Sequence, residues 1–329
     1  MNKKVFVTGA DGMLGSSICR ELLEQGYIVK AMCMPGRDTK TISQLPIERV
    51  QGNILDKAFL LKEMNGCDYV IHVAALLTVW PRRSELLNKV NITGTLNVVE
   101  AAKSLKMQRM IHIGTASSFG HGEKVSPGNE NTPFVGWKYG MDYIESKYRV
   151  QQMLLKEFEE SGFPVVIINP TFMIGPYDFG PSSGQMLVAI CKDKLHFYNR
   201  GGKNFVCSKD VAKATVNAIT MGRIGQCYIA GNENLTYKEF FLKSFKVLNK
   251  KFNMKPVSNA ILLSIGFLSS VVARIIQKKP KLSYGMTVLA MEDQYFSSAK
   301  AVNELKMPQT PVEVGILQSV EWFKANNYI

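Results

Sequence analysis

Three groups of residues in this chain have types and spacings suited to chemistry. The first is Gly9, Gly12 and Gly15, at i, i+3 and i+6 within Thr8-Gly9-Ala10-Asp11-Gly12-Met13-Leu14-Gly15. Such a turn needs backbone angles that glycine adopts cheaply. A diphosphate must also reach bare backbone there, and the next helix must pack close. The N-terminus of that helix offers free N–H groups and partial positive charge to phosphates. The second group is Thr115-Ala116-Ser117-Ser118, a cluster of small hydroxyl residues. The third is Tyr143 and Lys147, four apart on one helical face. That pair is common by chance and assigns nothing by itself.

Each group depends on the element that carries it. Lys3–Val7 reads as a short buried strand and Ser16–Glu24 as an amphipathic helix, so the glycines lie in a strand–turn–helix unit. Tyr27–Cys33 is a second strand. In a dinucleotide fold an acid about twenty residues after the turn binds the ribose hydroxyls of NAD. Here the strand end offers Cys33 and Met34, followed by Arg37, Asp38 and Lys40. The missing acid and the nearby cations favour NADP over NAD, unless Arg37 is only a solvated loop residue. Val50–Ile54 ends a third strand, with Asn53 and Ile54 placed beside an adenine and a helix from near Asp56. Asp68–Ala75 is a fourth, almost wholly apolar as a central parallel strand should be. Its final alanines leave room for a ligand, while His72, and likewise His112, reads as a packed strand residue.

A long helix covers Glu85–Leu105, and Met110–Ile113 forms a fifth strand. It ends at the hydroxyl cluster, where ligands bind in open α/β sheets. A helix over Tyr139–Phe158 carries Tyr143 and Lys147. Val165–Asn169 is a sixth strand, stopped by Pro170. The fold class is α/β, a Rossmann-type doubly wound parallel sheet with a smaller, mostly helical C-terminal part. Residues 1–169 form an NAD(P)-binding domain. Residues 206–230 return to it as the helix Lys209–Met221 and the strand Gln226–Ile229. Residues 170–205 and 231–329 form the substrate-binding part.

With 329 residues, 46% hydrophobic and 20% charged, the chain sustains a large core. Its net charge of +13 is spread over pairs such as Lys3-Lys4, Arg82-Arg83, Lys250-Lys251 and Lys278-Lys279. That suits anionic cofactors or substrates. No nucleic-acid module is visible, so nucleic acid is not an expected partner. The six cysteines show no C-x-x-C pair and read as buried thiols of a reducing compartment, with no metal site. No signal peptide is read at the start, and cytoplasm is the expected location. Ile261–Ile276 is strongly apolar but short for a membrane span. Ile261, Ile265, Leu268, Val272 and Ile275 share one helical face, which reads as a core helix. Contact with a greasy substrate or with a membrane, helped by Lys278, Lys279 and Lys281, is the weaker alternative.

In this order and spacing the sequence resembles the extended short-chain dehydrogenase/reductases, the NAD-dependent epimerase/dehydratase family, over nearly its whole length. The matching pieces are Thr8-Gly9-x-x-Gly12-x-x-Gly15, His72-Val73-Ala74-Ala75, Asn91-Ile92-Thr93-Gly94-Thr95, Thr115–Gly120, Tyr143-x-x-x-Lys147, and Asn169-Pro170 through Gly175-Pro176. The branch most similar joins dihydroflavonol reductases, 3β-hydroxysteroid dehydrogenases and hopanoid-associated sugar-epimerase-like proteins. The Val79-Trp80 loop and Asn169-Pro170-Thr171 resemble the last of these.

The resemblance implies an NAD(P)-dependent enzyme with Tyr143 as acid/base. A free phenol has a pKa near ~10, which a cationic Lys147 and the oxidised nicotinamide would lower. Lys147 would also hold the nicotinamide ribose. Thr115, or failing it Ser117, would hydrogen-bond the reacting oxygen. Asn91 would support a proton path or the helix near Lys147, unless it is only a local cap. Cofactor contacts are implied at Gly9, Asp11, Gly12, Met13, Leu14 and Gly15, at Arg37, Asn53 and Ile54, at Ala74, Ala75 and Leu76, and at Pro170 and Met173. Substrate contacts are implied at Thr78, Trp80, Ser117 and Phe172. The family often dimerises through two helices, here Glu85–Leu105 and Tyr139–Phe158.

The chain departs from the nucleotide-sugar pattern at three places. Phe172 replaces an asparagine that holds substrate diphosphate, and Ile174 and Phe119 replace tyrosines. With Met141, Met173, Met186 and Trp80, these would make a greasier pocket, unless they are core. An apolar hydroxy or keto compound fits such a pocket. The leading reading is an oxidoreductase that interconverts a secondary alcohol and a ketone. A sugar epimerase or dehydratase, and a non-catalytic NAD(P)-sensing protein, are the alternatives.

Overall fold

The computed structural model describes residues 3–78, 80–280 and 282–329. Val79 and Lys281, named above, lie outside the described residues. The first half runs β1 (Lys4–Thr8), α1 (Met13–Glu24), β2 (Ile28–Cys33), β3 (Glu48–Gln51), α2 (Lys57–Met64), β4 (Tyr69–His72), α3 (Glu85–Asn88), α4 (Gly94–Ser104), β5 (Arg109–Ile113), α5 (Asp142–Ser161) and β6 (Val165–Pro170). The second runs β7 (Phe172–Ile174), α6 (Gln185–Cys191), β8 (Phe197–Tyr198), β9 (Gly202–Cys207), α7 (Ser208–Asn217), β10 (Gln226–Ala230), β11 (Glu233–Thr236), α8 (Tyr237–Val247), β12 (Lys255–Pro256), α9 (Asn259–Ile275), α10 (Tyr284–Ala290), β13 (Asp293–Gln294), α11 (Ala299–Leu305) and α12 (Val312–Ala325).

Side chains alternate across a strand, so β1 contributes to a separate core on each of its faces. Val5 and Val7 join a core with Leu14, Ile18 and Leu22 of α1 and Val211 and Ala214 of α7. Phe6 points the other way, into a core with Leu60, Met64, Val98, Val150 and Leu154. Covered on both faces, the strands form a seven-stranded sheet in the order β10-β6-β5-β4-β1-β2-β3. Every pairing in it is parallel. This is the Rossmann-type doubly wound sheet. Its order reverses between β1 and β4, where ligands bind beyond the carboxyl ends of the strands.

Several elements differ from the sequence reading. The second half also holds a four-stranded sheet, β11-β9-β13 with β7 on β9; β7 and β13, with three and two residues, are too short to show a period. Pro170 does not stop β6; it pairs with Ala230 at the strand end, where a missing N–H costs little. The Glu85–Leu105 helix is interrupted by a π-helical turn at Lys89–Thr93. The helix carrying Tyr143 begins at Asp142, because Gly136–Tyr139 form a separate 3-10 turn. The helix from Lys209 ends at Asn217 and gives way to turns before Met221.

The largest departure is α9, which is not a core helix. Its buried residues are the small ones, Gly266, Ser270 and Ala273. They allow close approach to α10: a Cβ on Gly266 would lie 2.6 Å from Thr287 Oγ1. Ser270 Oγ accepts from the Tyr284 N–H at 2.8 Å. The wide apolar face therefore points to solvent, with Ile261 55%, Leu268 62% and Ile275 76% exposed. Close packing through small residues, not burial of the apolar stripe, orients this helix.

Candidate active site

The glycine turn closes β1 at the reversal of the sheet. Gly9 has φ +65°, and a Cβ there would come within 2.8 Å of the Ala74 backbone. A Cβ on Gly15 would lie 2.1 Å from the Gly9 carbonyl oxygen, so α1 leaves the turn in contact with it. Gly12 is exposed and caps α1 with no side-chain hydrogen bond. The first-turn N–H groups, including those of Met13, Leu14 and Gly15, have no partner within the helix. Leu14 buries its side chain in the core, which leaves its backbone for the turn. A bare cradle of this shape at the sheet reversal fits the diphosphate of a dinucleotide.

The neighbouring positions are arranged around this turn. Asp11 accepts a hydrogen bond from Thr41 Oγ1 through its carbonyl at 2.9 Å. Its carboxylate lies 3.7 Å from Arg37 Nε, and Arg37 is 66% exposed. Beyond β2, Cys33 is buried and Met34 is exposed. Asn53 Oδ1 accepts from the Leu55 N–H at 3.0 Å, and Ile54 is buried against Gly94. The Ile54 side chain is thus committed to the core, and its carbonyl accepts from Asn97 Nδ2 at 3.0 Å.

A buried polar chain links this end of the sheet to α5. Thr8 Oγ1 accepts from the Val73 and Ala74 N–H groups, each at 3.1 Å. The Thr8 hydroxyl is 2.7 Å from His72 Nδ1, and His72 Nε2 is 3.0 Å from Thr95 Oγ1. Thr95 donates to the Asn91 carbonyl at 2.6 Å. That direction makes His72 a donor at Nε2 and an acceptor at Nδ1. Burial and the charge of Lys147 push its pKa down to about 3, so it stays neutral. Asn91 lies in the π-helical turn. Its Oδ1 accepts from the Leu76 N–H at 2.8 Å, and its Nδ2 donates to the Leu76 carbonyl at 3.1 Å and to Ser146 Oγ at 3.2 Å. Asn91 thus braces the β4 exit against α5.

Tyr143 and Lys147 occupy the first turns of α5, which an acidic clamp fixes. Arg83 pairs with Asp142 at 2.8 Å and Glu145 at 2.9 Å, and the Ser84 N–H donates to Asp142 at 2.6 Å. Lys147 is buried, and its Nζ donates to the Ile113 carbonyl at 2.7 Å. Burial alone lowers its ammonium to about 8. Burial raises the Tyr143 phenol to about 12, while a hydrogen bond with Thr115 pulls the other way. Thr115 stands at the carboxyl end of β5; Asn169 Nδ2 donates to its carbonyl at 3.1 Å, and its Oγ1 accepts from the Ser117 N–H at 3.3 Å. A phenol, a buried ammonium and a hydroxyl therefore converge where the sheet ends.

The model of the NAD dependent epimerase/dehydratase family matches residues 5–231. The chain belongs to this family. It is an enzyme of the extended short-chain dehydrogenase/reductases and uses an NAD-type cofactor. A Synechocystis sp. protein provisionally named dihydroflavonol 4-reductase is 27% identical over 98% of this chain and 95% of its own. The Dictyostelium discoideum sterol-4-alpha-carboxylate 3-dehydrogenase, decarboxylating, is 27% identical over 90% of this chain and 91% of its own. The crystal structure of gox2253 aligns with a TM-score of 0.87 at 28% identity, covering 100% of both chains.

In this family member the substrate side is only partly as the sequence suggested. Phe119, Ile174 and Met141 are buried in cores, the last two only 1% exposed, and present no pocket wall. Trp80, Phe172, Met173 and Met186 stay half-buried. Phe172 rests edge-on against Phe205 at 5.4 Å, with Lys203 Nζ 5.6 Å from its centroid. Thr78 spends its hydroxyl on the Trp80 backbone, donating to the carbonyl at 2.6 Å. Ser117 is half-buried in the turn after Thr115, and Pro170 is buried at the end of β6. Sequence reasoning missed Thr8, Thr95 and Ser146. It also missed Val288 and Leu289 of α10, which pack with Tyr143 on Tyr139, Met141 and Ile144. Among the described residues no group of acidic, histidine or cysteine side chains could hold a metal, and no helix is long and apolar enough to cross a membrane.

Proposed function

We propose that this chain is an NADP-dependent oxidoreductase that interconverts a secondary alcohol and a ketone on an apolar small molecule. The observation that carries the proposal is the convergence of Tyr143, Lys147 and Thr115 at the end of β5. Tyr143 exchanges the proton with the substrate oxygen, and Thr115 hydrogen-bonds that oxygen. A nicotinamide bound along the glycine turn supplies or accepts the hydride. At a pKa of about 12 the isolated phenol would release its proton poorly. The Lys147 ammonium, one helical turn away, favours the phenolate and brings it toward a working range. Lys147 also holds the cofactor ribose, and Asn91 positions Leu76 and α5 around it.

On the cofactor side, the backbone from Gly9 to Gly15 takes the diphosphate. Asn53 and the Ile54 backbone take the adenine. Ala74, Ala75, Leu76, Pro170 and Met173 flank the nicotinamide half. Arg37, held beside Asp11 with no acid at the end of β2, supports binding of a 2′-phosphate. On the substrate side, Trp80 and Phe172 supply apolar walls, and Thr78 and Ser117 line the approach. Two relatives named for a dihydroflavonol and a sterol support an apolar ring compound over a nucleotide sugar. The glycine turn and the sheet, with α7 and β10, then serve the cofactor, and the remaining second half serves the substrate. The exposed Leu96 beside a hollow lined by Val99, Val150 and Leu154 supports a homodimer through α4 and α5. Six free thiols suit a reducing compartment such as the cytoplasm.

The test is a titration with NADP and NAD, followed by reduced cofactor with apolar ketones and with nucleotide sugars. The proposal expects tighter NADP binding and one cofactor oxidised per ketone reduced. Turnover of a nucleotide sugar with no net cofactor change would replace it with an epimerase, and a preference for NAD would remove the role given to Arg37.

A further inference from the structure

The exposed face of α9 calls for an occupant. Ile265, Leu268, Val272 and Ile276 line an open hollow of about 490 Å³, with Lys278 and Lys279 on its rim. An exposed apolar patch of this kind marks a docking surface. The charge around it identifies the partner. The helix itself carries no acidic residue, its last turn holds Arg274, and Lys278 and Lys279 follow at the edge of the hollow. Arg274, Lys278 and Lys279 form no ion pair among the described residues. A second copy docked on this face would oppose like charges, whereas an anionic lipid headgroup layer complements them.

We propose that α9 seats the protein on the surface of an anionic lipid bilayer. The helix has 17 residues, so it is roughly 25 Å long, short of the ~30 Å hydrocarbon core. It lies in the interface with its apolar face down and its basic end against the headgroups. Its small-residue face stays on α10. Val288 and Leu289 of α10 pack on the same cluster as Tyr143. Only α10 therefore separates the membrane-seated helix from the site, which gives a bilayer-dissolved substrate a short approach. That consequence rests on the apolar substrate proposed above; the docking itself does not.

The experiment is flotation of the full chain with phosphatidylcholine vesicles and with phosphatidylcholine–phosphatidylglycerol vesicles, read without substrate or turnover. Binding to the anionic vesicles alone, weakened by salt, is expected. Leu268→Glu with Val272→Glu should lower partitioning at least ~10-fold, and Lys278→Gln or Lys279→Gln about fivefold each. These side chains are exposed, and an unchanged thermal midpoint and NADP affinity confirm an intact fold. If the glutamate pair unfolds, the lysine variants decide. Absence of binding to anionic vesicles, or binding that none of these variants weakens, overturns the proposal. So does a solution dimer that Leu268→Glu splits while vesicle binding is unchanged.

Discussion

Lys147 Nζ donates to the carbonyl of Ile113 at 2.7 Å, tying α5 to the last residue of β5. Two residues further along the chain stands Thr115. One hydrogen bond therefore sets the helix bearing Tyr143 against the strand end bearing Thr115. It also keeps an ammonium in a buried place where its pKa falls to about 8.

The pH dependence of reduction follows from this bond. In the proposed mechanism the Lys147 ammonium, charged below about 8, supports the phenolate left after proton transfer, and above that pH the support disappears. Ketone reduction is expected to decline as pH rises through about 8. In Lys147→Arg the cation persists to high pH, so the declining limb should move upward even if the maximal rate falls. Profiles of kcat/KM against pH for both proteins check this, and a limb that does not move assigns the decline to another group.

Asn91 holds both the N–H and the carbonyl of Leu76 as well as Ser146. Asn91→Ala leaves those backbone groups unpaired and should cost about 1–3 kcal/mol of stability. Ser146→Ala removes the bond from Asn91 and the Ser146 bond to the Tyr143 carbonyl but leaves both Leu76 bonds in place, and should cost less. Urea midpoints measure both. Equal losses would mean that the Leu76 bonds contribute little.

Two buried histidines make stability fall in acid. Burial lowers His72 to about 3 and His112 well below its usual value. In the unfolded chain each takes up a proton near ~6.5. Below that pH the unfolded state binds more protons, so stability is full above ~6.5 and is lost as pH falls from there toward 3. The two ring nitrogens of His112 have no hydrogen-bond partner among the described residues. His112→Phe therefore removes the acid penalty without stranding a partner, and its thermal midpoint near pH ~5 should exceed that of the wild type. Near pH ~8 the two should be similar. A lower midpoint for the variant in acid would show that His112 has a binding partner in solution.

Arg37 is exposed and sits 3.7 Å from Asp11 at the glycine turn. A charge-assisted hydrogen bond to a 2′-phosphate contributes about 1.5–3 kcal/mol, roughly 10–150-fold in affinity. Arg37→Ser should weaken NADP by that factor and leave NAD nearly unchanged. Isothermal titration with each cofactor distinguishes this from a general loss of binding.

Much of this site was legible in the sequence because local spacing encodes it. The glycines need backbone room, β1 alternates, and Tyr143 and Lys147 fall one turn apart whatever surrounds them. The chain Thr8–His72–Thr95–Asn91 was not legible, since it joins strands and helices far apart in sequence through ordinary polar residues. The pocket walls were left open between pocket and core for a related reason. Phe119 and Ile174 are apolar replacements, and an apolar residue can enter the core or line a pocket with the same pattern. In α9 the apolar stripe pointed inward by the usual rule, but Gly266, Ser270 and Ala273 permit the closer contact, and that decided its orientation.

The most direct test of the central claim compares wild type with Tyr143→Phe for oxidation of NADPH by an apolar ketone, with NADPH affinity measured in parallel. Acid/base catalysis by a positioned side chain contributes about 100- to 10,000-fold. The account predicts a loss of that size in kcat with NADPH affinity within about twofold of wild type. A Tyr143→Phe protein that still reduces the ketone at the wild-type rate would contradict it.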